Sequence, residues 1–175
     1  MTDRLFLAIW PPTSIIGTIE EAIAPLRDRY EHIRWQPGNR WHITLAFLGE
    51  RETAVEVRRL RATPQKSAQS IRLHGAGRFG PILWMGVDAG PWLARLASEI
   101  QTAHHCPDRR FSAHMTLGRS RSALGSREVS QASAALAAFS SPAWTPREMT
   151  LVRSVIGPKP VYEVVLRTPL TVDGT

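Results

Sequence analysis

Residues 41–50 read WHITLAFLGE, and residues 113–120 read AHMTLGRS. Each stretch alternates apolar residues with polar or small ones, a period of two that predicts a strand with one buried face. On the free face of each strand lie a histidine and a threonine two residues apart: His42 with Thr44, and His114 with Thr116. A pattern that occurs in two strands indicates two related halves whose free faces meet at one cleft.

Working outward from these two strands, the hydrophobic pattern predicts a mixed chain of strands and helices. The order is strand, helix, strand, helix, two strands, helix, strand, helix and two strands. The helices are predicted at about residues 11–30, 52–68, 91–105 and 126–139. This order is typical of an α+β fold, and the lack of a Gly-rich phosphate loop argues against a doubly wound nucleotide-binding fold. No low-complexity linker divides the 175 residues, so one domain spanning 1–175 is expected.

The charge of the chain favours an anionic partner. The formal net charge is +7, and the cationic residues are arginines except for Lys66 and Lys159. A positive field attracts polyanions, and guanidinium groups bind phosphate through two parallel donors. The alternative is that the charge serves solubility alone.

Cysteine and hydropathy indicate the compartment. Cys106 is the only cysteine, so an intrachain disulfide is excluded and nothing points to an oxidising environment. The apolar run LFLAIW is too short for a membrane span or the core of a signal peptide, and it reads as a first strand. A cytoplasmic protein without membrane contact is expected.

The paired motifs suit acid–base chemistry on phosphate. One imidazole can take a proton from a nucleophile while the other gives a proton to a leaving group, and threonine hydroxyls can donate to phosphate oxygens. Metal binding is the competing interpretation, since His74 and the run His104–His105–Cys106 are also available. No acid stands at ligand spacing from either motif and no HExxH is present, so a metal is disfavoured. His32, His74, His104 and His105 are expected at the surface or in loops.

Five blocks of sequence, in order, resemble a known family. They are RLFLAIWPP, NRWHITLAFLGE, ILWMGV, RRFSAHMTLGR and GPKPVYEVVLRTPL. They are similar to blocks of the bacterial and archaeal RNA 2′,3′-cyclic phosphodiesterases, the 2′-5′ RNA ligase or LigT-type branch of the two-histidine phosphoesterases. The resemblance runs from about residue 4 to residue 170.

The resemblance implies a two-lobed, pseudo-twofold symmetric fold, with antiparallel sheets lining a central cleft and helices outside. It implies that His42 and His114 are the catalytic pair, that Thr44 and Thr116 hold phosphate oxygens, and that neither a metal nor another cofactor takes part. The implied substrate is single-stranded RNA, tRNA halves among the candidates, that ends in a 2′,3′-cyclic phosphate. Water opens this ring to a 2′-phosphomonoester, and reversal with a ribose 5′-hydroxyl forms a 2′-5′ linkage. A monomer is expected, since both motifs lie in one chain.

Two further positions carry over from the family. Phe47 and Arg119 each lie five residues after their histidine, where the family places an aromatic ring and a guanidinium around the terminal base. Strict alternation would put both on the face opposite the histidines, so the strands must bend or bulge near Gly49 and Gly118. The alternative is a core position for Phe47 and a salt bridge at the rim for Arg119.

The chain also departs from the family pattern. Ser112–Ala113 stands where the family has an Arg- or His-Pro pair before the second histidine, and Gly118 replaces a larger residue. Tyr162, in the closing block, borders the cleft in this scheme without a defined role. Two alternatives stay open: a small substrate such as a cyclic nucleotide or an ADP-ribose cyclic phosphate, and a non-catalytic module that binds RNA ends.

Overall fold

The structure, a computed structural model, describes residues 2–107, 110–155, 157 and 161–172. In these residues the strands are β1 (Asp3–Ile9), β2 (Arg34–Trp35), β3 (Ile43–Arg51), β4 (Lys66–Ala68), β5 (Arg72–Phe79), β6 (Ile82–Asp88), β7 (His114–Arg119), β8 (Glu148–Val155) and β9 (Val161–Val172). The α-helices are α1 (Thr13–Arg29), α2 (Thr53–Ala62), α3 (Gly90–Ala103) and α4 (Ala123–Ala135). The α+β prediction is therefore confirmed.

The strands form one mixed sheet in which the two His-x-Thr segments lie side by side. Its order is β4-β9-β8-β1-β3-β7-β6-β5, and the short strand β2 pairs with β7. The pairings are antiparallel except that between β4 and β9. Strands β3 and β7 pair only at Ile43 and Met115. The sheet thus has two halves joined at the centre by one residue pair.

The two halves repeat one supersecondary unit. The first is β1–α1–β3–α2 and the second is β6–α3–β7–α4. In each, the His-x-Thr strand pairs antiparallel with the strand that begins its unit, β3 with β1 and β7 with β6. The order of elements and the strand pairings on either side of the Ile43–Met115 pair are those of an approximate twofold repeat. This is the internal repeat that the paired motifs predict.

The main core lies on the face of the sheet away from the histidines. The motif strands contribute four apolar side chains that are at most 1% exposed: Ile43, Leu45, Met115 and Leu117. Strand β1 is buried on both faces, which explains its nearly continuous apolar run. A second, smaller cluster covers its other face and consists of Phe6, Ala8 and Val152, with Trp10 and Tyr162 packed against them. This smaller cluster forms the floor beneath His42.

Helix α2 is shorter than predicted. The pattern predicts a helix over residues 52–68, but α2 ends at Ala62, two residues before Pro64. The residues after it, Lys66–Ala68, form β4, which pairs in parallel with β9. The three-residue strand β4 is too short to show a period of two, so it can be recognised only from its pairing with β9.

Helix α4 begins three residues earlier than predicted because Ser122 caps it, its Oγ accepting from Gly125 N at 3.0 Å.

The expectation of an exposed His104 is wrong. Its side chain is fully buried, and its Nδ1 lies 2.6 Å from Oε2 of Glu56, which is itself 1% exposed. Oε1 of Glu56 pairs with Arg59 at 2.7 Å. His104 extends the buried stripe of α3 one turn beyond Ile100, which its i+4 spacing explains. His74 and His105 are exposed as predicted, and His32 is half-exposed beside Glu128.

The turn predicted between β8 and β9 falls on Gly157 and Pro158, of which Pro158 lies outside the described residues.

In the described ranges no helix has both the length and the apolar composition needed to cross a bilayer.

Candidate active site

The central strand pair brings both His-x-Thr motifs to one place. Ile43 faces Met115 across the junction. Continued by one residue each way, this register sets His42 opposite Thr116 and Thr44 opposite His114, all on the face away from the core. The four side chains therefore form a square in which each histidine lies diagonal to the other.

Both imidazoles are held in the same way. Nδ1 of His42 donates to the carbonyl of Arg40 at 2.7 Å, and Nδ1 of His114 donates to the carbonyl of Ser112 at 2.7 Å. Because a carbonyl can only accept, each Nδ1 carries a proton and each Nε2 is left for the cleft. This bond to the residue two positions earlier orients both rings before a substrate arrives.

A bulge in each motif strand places Phe47 and Arg119 on the histidine face. The pairing of β3 with β1 shifts by one residue between Thr44 and Ala46, and that of β7 with β6 shifts between Thr116 and Gly118. After the shift, Phe47 pairs with Phe6 of the smaller cluster and is 66% exposed.

The two bulges are equivalent in the two halves. The extra residue is Leu45 in β3 and Leu117 in β7, each directly after the threonine. Strand β3 has a second extra residue at Leu48, next to Gly49. Arg119 is exposed, and among the described residues it forms no ion pair. Gly118 permits the close approach of β2, since a Cβ there would lie 2.9 Å from Ile33 Cγ2.

His42 lies in an aromatic enclosure. Its ring stacks on Trp10 at 5.1 Å between centroids and lies 5.0 Å from Phe6, while Tyr162 meets it edge-on at 5.4 Å. Burial among these rings lowers the pKa of His42 from 6.5 to about 4. The hydrogen bond to the Arg40 carbonyl opposes this lowering, and the charges of Arg40 and His114 add to it. His42 is therefore neutral at physiological pH.

His114 has a more open setting. Phe79, 43% exposed, meets its ring edge-on at 5.1 Å, and Trp84 lies 6.3 Å away. Trp84 pairs with Thr116 across the strands, which places the indole on the histidine face. The two halves thus share their motifs but differ in the walls around them.

A cavity of about 380 Å³ opens beside His114, where β3 and β7 diverge. Thr44 and Phe47 line it from β3, and Phe111 and Ser112 line it from the segment before β7. Cys106 also borders it, and burial raises the pKa of this thiol, which keeps it protonated at neutral pH. The cavity therefore adjoins the His-x-Thr side chains, two of which, Thr44 and His114, line it.

The sequence motifs assign no role to Arg40, and they place Tyr162 at the border of the cleft without a defined role. Arg40 stacks its guanidinium over Tyr162, with Cζ 4.7 Å from the ring centroid. Arg40 stands two residues before the histidine, so alternation could have placed it on the same face. The partner, Tyr162, comes from β9 and is 122 residues away, and nothing local links the two.

As to metals, residues 2–107, 110–155 and 161–172 contain no group of three or more His, Cys, Asp or Glu side chains arranged to hold an ion. The buried His104 nitrogen Nδ1 already contacts Glu56.

Comparison with known proteins identifies the family. The sequence pattern of the 2′-5′ RNA ligase superfamily matches residues 11–156. The fold is similar to that of Escherichia coli LigT in its apo form, with 25% identity, coverage of 97% of this chain and 98% of that chain, and a TM-score of 0.74. It is also similar to the protein TT0787 of Thermus thermophilus, with 25% identity, 98% and 100% coverage, and a TM-score of 0.77. A third similar structure is E. coli LigT complexed with phosphate, with 26% identity, 97% and 98% coverage, and a TM-score of 0.71. The family pattern covers most of the chain, which belongs to the 2′-5′ RNA ligase superfamily.

Proposed function

We propose that this protein hydrolyses RNA 2′,3′-cyclic phosphate ends to 2′-phosphomonoesters, without a metal, by the acid–base pair His42 and His114. The observation that carries the proposal is the matched anchoring of the two imidazoles, whose Nδ1 atoms donate to backbone carbonyls and leave both Nε2 atoms for the substrate. Binding alone needs no pair of titrating groups held in one orientation.

In this reaction His42 is the general base. A base must be neutral before it acts, and His42 is neutral because its aromatic enclosure disfavours the imidazolium. Its Nε2 takes a proton from water as the water oxygen bonds to phosphorus. The bond from phosphorus to O3′ breaks, and His114 gives its proton to O3′. The bond to O2′ remains, which leaves a 2′-phosphate.

Thr44 and Thr116 donate hydrogen bonds to the non-bridging phosphate oxygens, which carry most of the negative charge. The terminal nucleoside fits the cavity beside His114, because the O3′ that this histidine protonates belongs to that nucleoside. Phe47 lines this cavity, where its ring can stack on the terminal base. Arg119 is exposed at the far end of β7, beyond Thr116, and is not one of the residues that line the cavity, so its guanidinium would reach the RNA from the His42 side. The reverse reaction, with a ribose 5′-hydroxyl in place of water, would form a 2′-5′ linkage at the same site.

A small cyclic phosphate is the second candidate substrate. The cavity of about 380 Å³ has room for one nucleoside and does not itself demand a longer chain. The same acid–base chemistry would then act on a cyclic mononucleotide, and relative kcat/KM values for oligonucleotide and mononucleotide substrates decide between the two.

The test is an incubation of the purified protein, in EDTA, with a short RNA that ends in a 2′,3′-cyclic phosphate. We expect conversion to a 2′-phosphate, identified by its resistance to enzymes that need a free 2′-hydroxyl and by phosphorus NMR. A 3′-phosphate product would reverse the roles of O2′ and O3′. Tight binding without conversion of this RNA or of cyclic mononucleotides would make the protein a binding module. Loss of activity in EDTA would contradict the metal-free mechanism.

The replacement Phe47→Ala is expected to raise KM for the RNA roughly 5- to 150-fold, the usual contribution of stacking one base on an aromatic ring. The thermal midpoint should stay near that of the wild type, because the side chain is 66% exposed. Leu124→Ala, at a residue 57% exposed outside the site, is the matched control. An unchanged KM with a lowered midpoint would instead give Phe47 a structural role.

A further inference from the structure

The two halves of the site differ at one equivalent position. Arg40 and Ser112 each stand two residues before a histidine, and each carbonyl accepts the Nδ1–H of that histidine at 2.7 Å. Their side chains are a guanidinium in one half and a hydroxyl in the other. Two imidazoles and two hydroxyls related by a twofold axis cannot by themselves orient an unsymmetrical substrate. A cation present in one half only can do so.

The guanidinium of Arg40 is held beside His42. It stacks over Tyr162 with Cζ 4.7 Å from the ring centroid, and the same tyrosine meets His42 edge-on at 5.4 Å between centroids. The charge of Arg40 is close enough to oppose protonation of the imidazole. Stacking on an aromatic face restrains the long side chain while leaving the edge of the guanidinium plane free for acceptors.

This cation has no anionic partner in the part of the chain that the structure describes. Other arginines there, such as Arg27, Arg59 and Arg153, contact carboxylates. Arg40 forms no such ion pair with a described residue, and its buried Nε has no acceptor among them either. A buried donor without an acceptor is unfavourable, and a guanidinium without a carboxylate partner among the described residues keeps its charge available for an anionic ligand.

We propose that Arg40 binds a non-bridging phosphoryl oxygen of the substrate on the His42 side and thereby orients the cyclic phosphate in the site. The inference rests on the proposed function, since the ligand is the phosphoryl group that the two histidines act on. A forked guanidinium can donate two hydrogen bonds to phosphate, and its charge offsets the charge that gathers on these oxygens during attack. The nucleoside is then directed to the opposite half, toward the cavity beside His114.

The first test measures binding of inorganic phosphate by calorimetry, which needs no turnover. Arg40→Gln is expected to raise the Kd about 10- to 100-fold, the range for a charged hydrogen-bonding partner. Arg40→Lys should fall between this variant and the wild type, because lysine keeps the charge and loses the fork. Arg58→Gln, at an exposed arginine of α2, removes the same charge away from the site and should leave the Kd unchanged.

A second pair of variants tests the stacking. Tyr162→Phe keeps the ring and should bind phosphate as the wild type does, whereas Tyr162→Ala should weaken binding toward the level of Arg40→Gln. Thermal unfolding of each variant shows that it is folded. An Arg40→Gln protein that binds phosphate as tightly as the wild type would overturn the proposal, as would a wild type that binds no phosphate at millimolar concentration.

Turnover separates this proposal from the proposed function. With the RNA substrate, Arg40→Gln should lower kcat/KM and yield some 3′-phosphate beside the 2′-phosphate, because the substrate is less firmly oriented. If the wild type opens no cyclic phosphate but Arg40→Gln still weakens phosphate binding, the proposed function fails and the anion site stands. If the wild type turns over and Arg40→Gln matches it in phosphate affinity, kcat/KM and product, only the role of Arg40 fails.

Discussion

Replacing His42 or His114 by alanine is expected to lower kcat for cyclic phosphate opening by a factor of about 10² to 10⁴ each, the usual contribution of one general acid or base. Both imidazoles are anchored through Nδ1, so each variant loses one positioned Nε2. The double variant should be little worse than either single one, because concerted proton transfer fails when either partner is missing.

Binding should respond differently from turnover. The Kd for the RNA is expected to change little in these variants, since the threonines and the cavity remain. His74→Ala is the matched control, because His74 is an exposed histidine on β5 of the same sheet. Should His42→Ala or His114→Ala keep more than about a tenth of wild-type kcat, the acid–base assignment of that residue is wrong.

The activity is expected to persist in mild acid. The pKa of His42 is about 4, so at pH 5 about nine-tenths of the imidazole is neutral, compared with about 3% for a histidine of pKa 6.5. The acidic limb of kcat/KM against pH should therefore lie near pH 4. Among the described residues, Arg40, His114 and the phenol of Tyr162 are the titratable or charged groups that face His42. An acidic limb at or above pH 6.5 would show that His42 is not the base.

The same burial makes the fold sensitive to acid. The unfolded chain binds a proton at His42 more tightly than the folded chain does, so stability falls as the pH drops from about 6.5 toward 4. Because the pKa of His42 is lowered to about 4 in the folded chain, the free energy of unfolding is about 3 kcal/mol larger above pH 6.5 than at a pH where His42 is protonated in both states. His42→Phe keeps an aromatic ring in the enclosure and removes the titration. Urea unfolding at pH 7 and pH 4.5 should show a smaller loss of stability in this variant than in the wild type and in His74→Ala. Equal losses in all three would contradict a buried, neutral His42.

Much of this architecture follows from local patterns. Alternation around the two motifs predicts both strands and the shared face of each histidine with its threonine. Apolar residues at helical spacing predict the four helices, and proline marks the end of one and the start of another. These signals are readable because a helix or a strand buries one face at a fixed period, whatever lies opposite.

Other features depend on which strands become neighbours. The bulges after Thr44 and Thr116 reverse the faces of Phe47 and Arg119, and they exist only because β3 and β7 must match β1 and β6 in register. The burial of His104 depends on Glu56, and the short strand β4 depends on β9. A period of two or of 3.6 holds no information about a partner so far along the chain.

By itself, then, the sequence determined the strand–helix order, the two His-x-Thr pairs and the family that these blocks resemble. Only the tertiary structure decided that the two imidazoles are unequal. Trp10 after β1 and Tyr162 from β9 enclose His42, and Tyr162 also holds Arg40, whereas His114 borders an open cavity. The physical reason is that a pKa and an anion site depend on burial and on neighbouring charges, which arise from contacts between residues far apart in the chain.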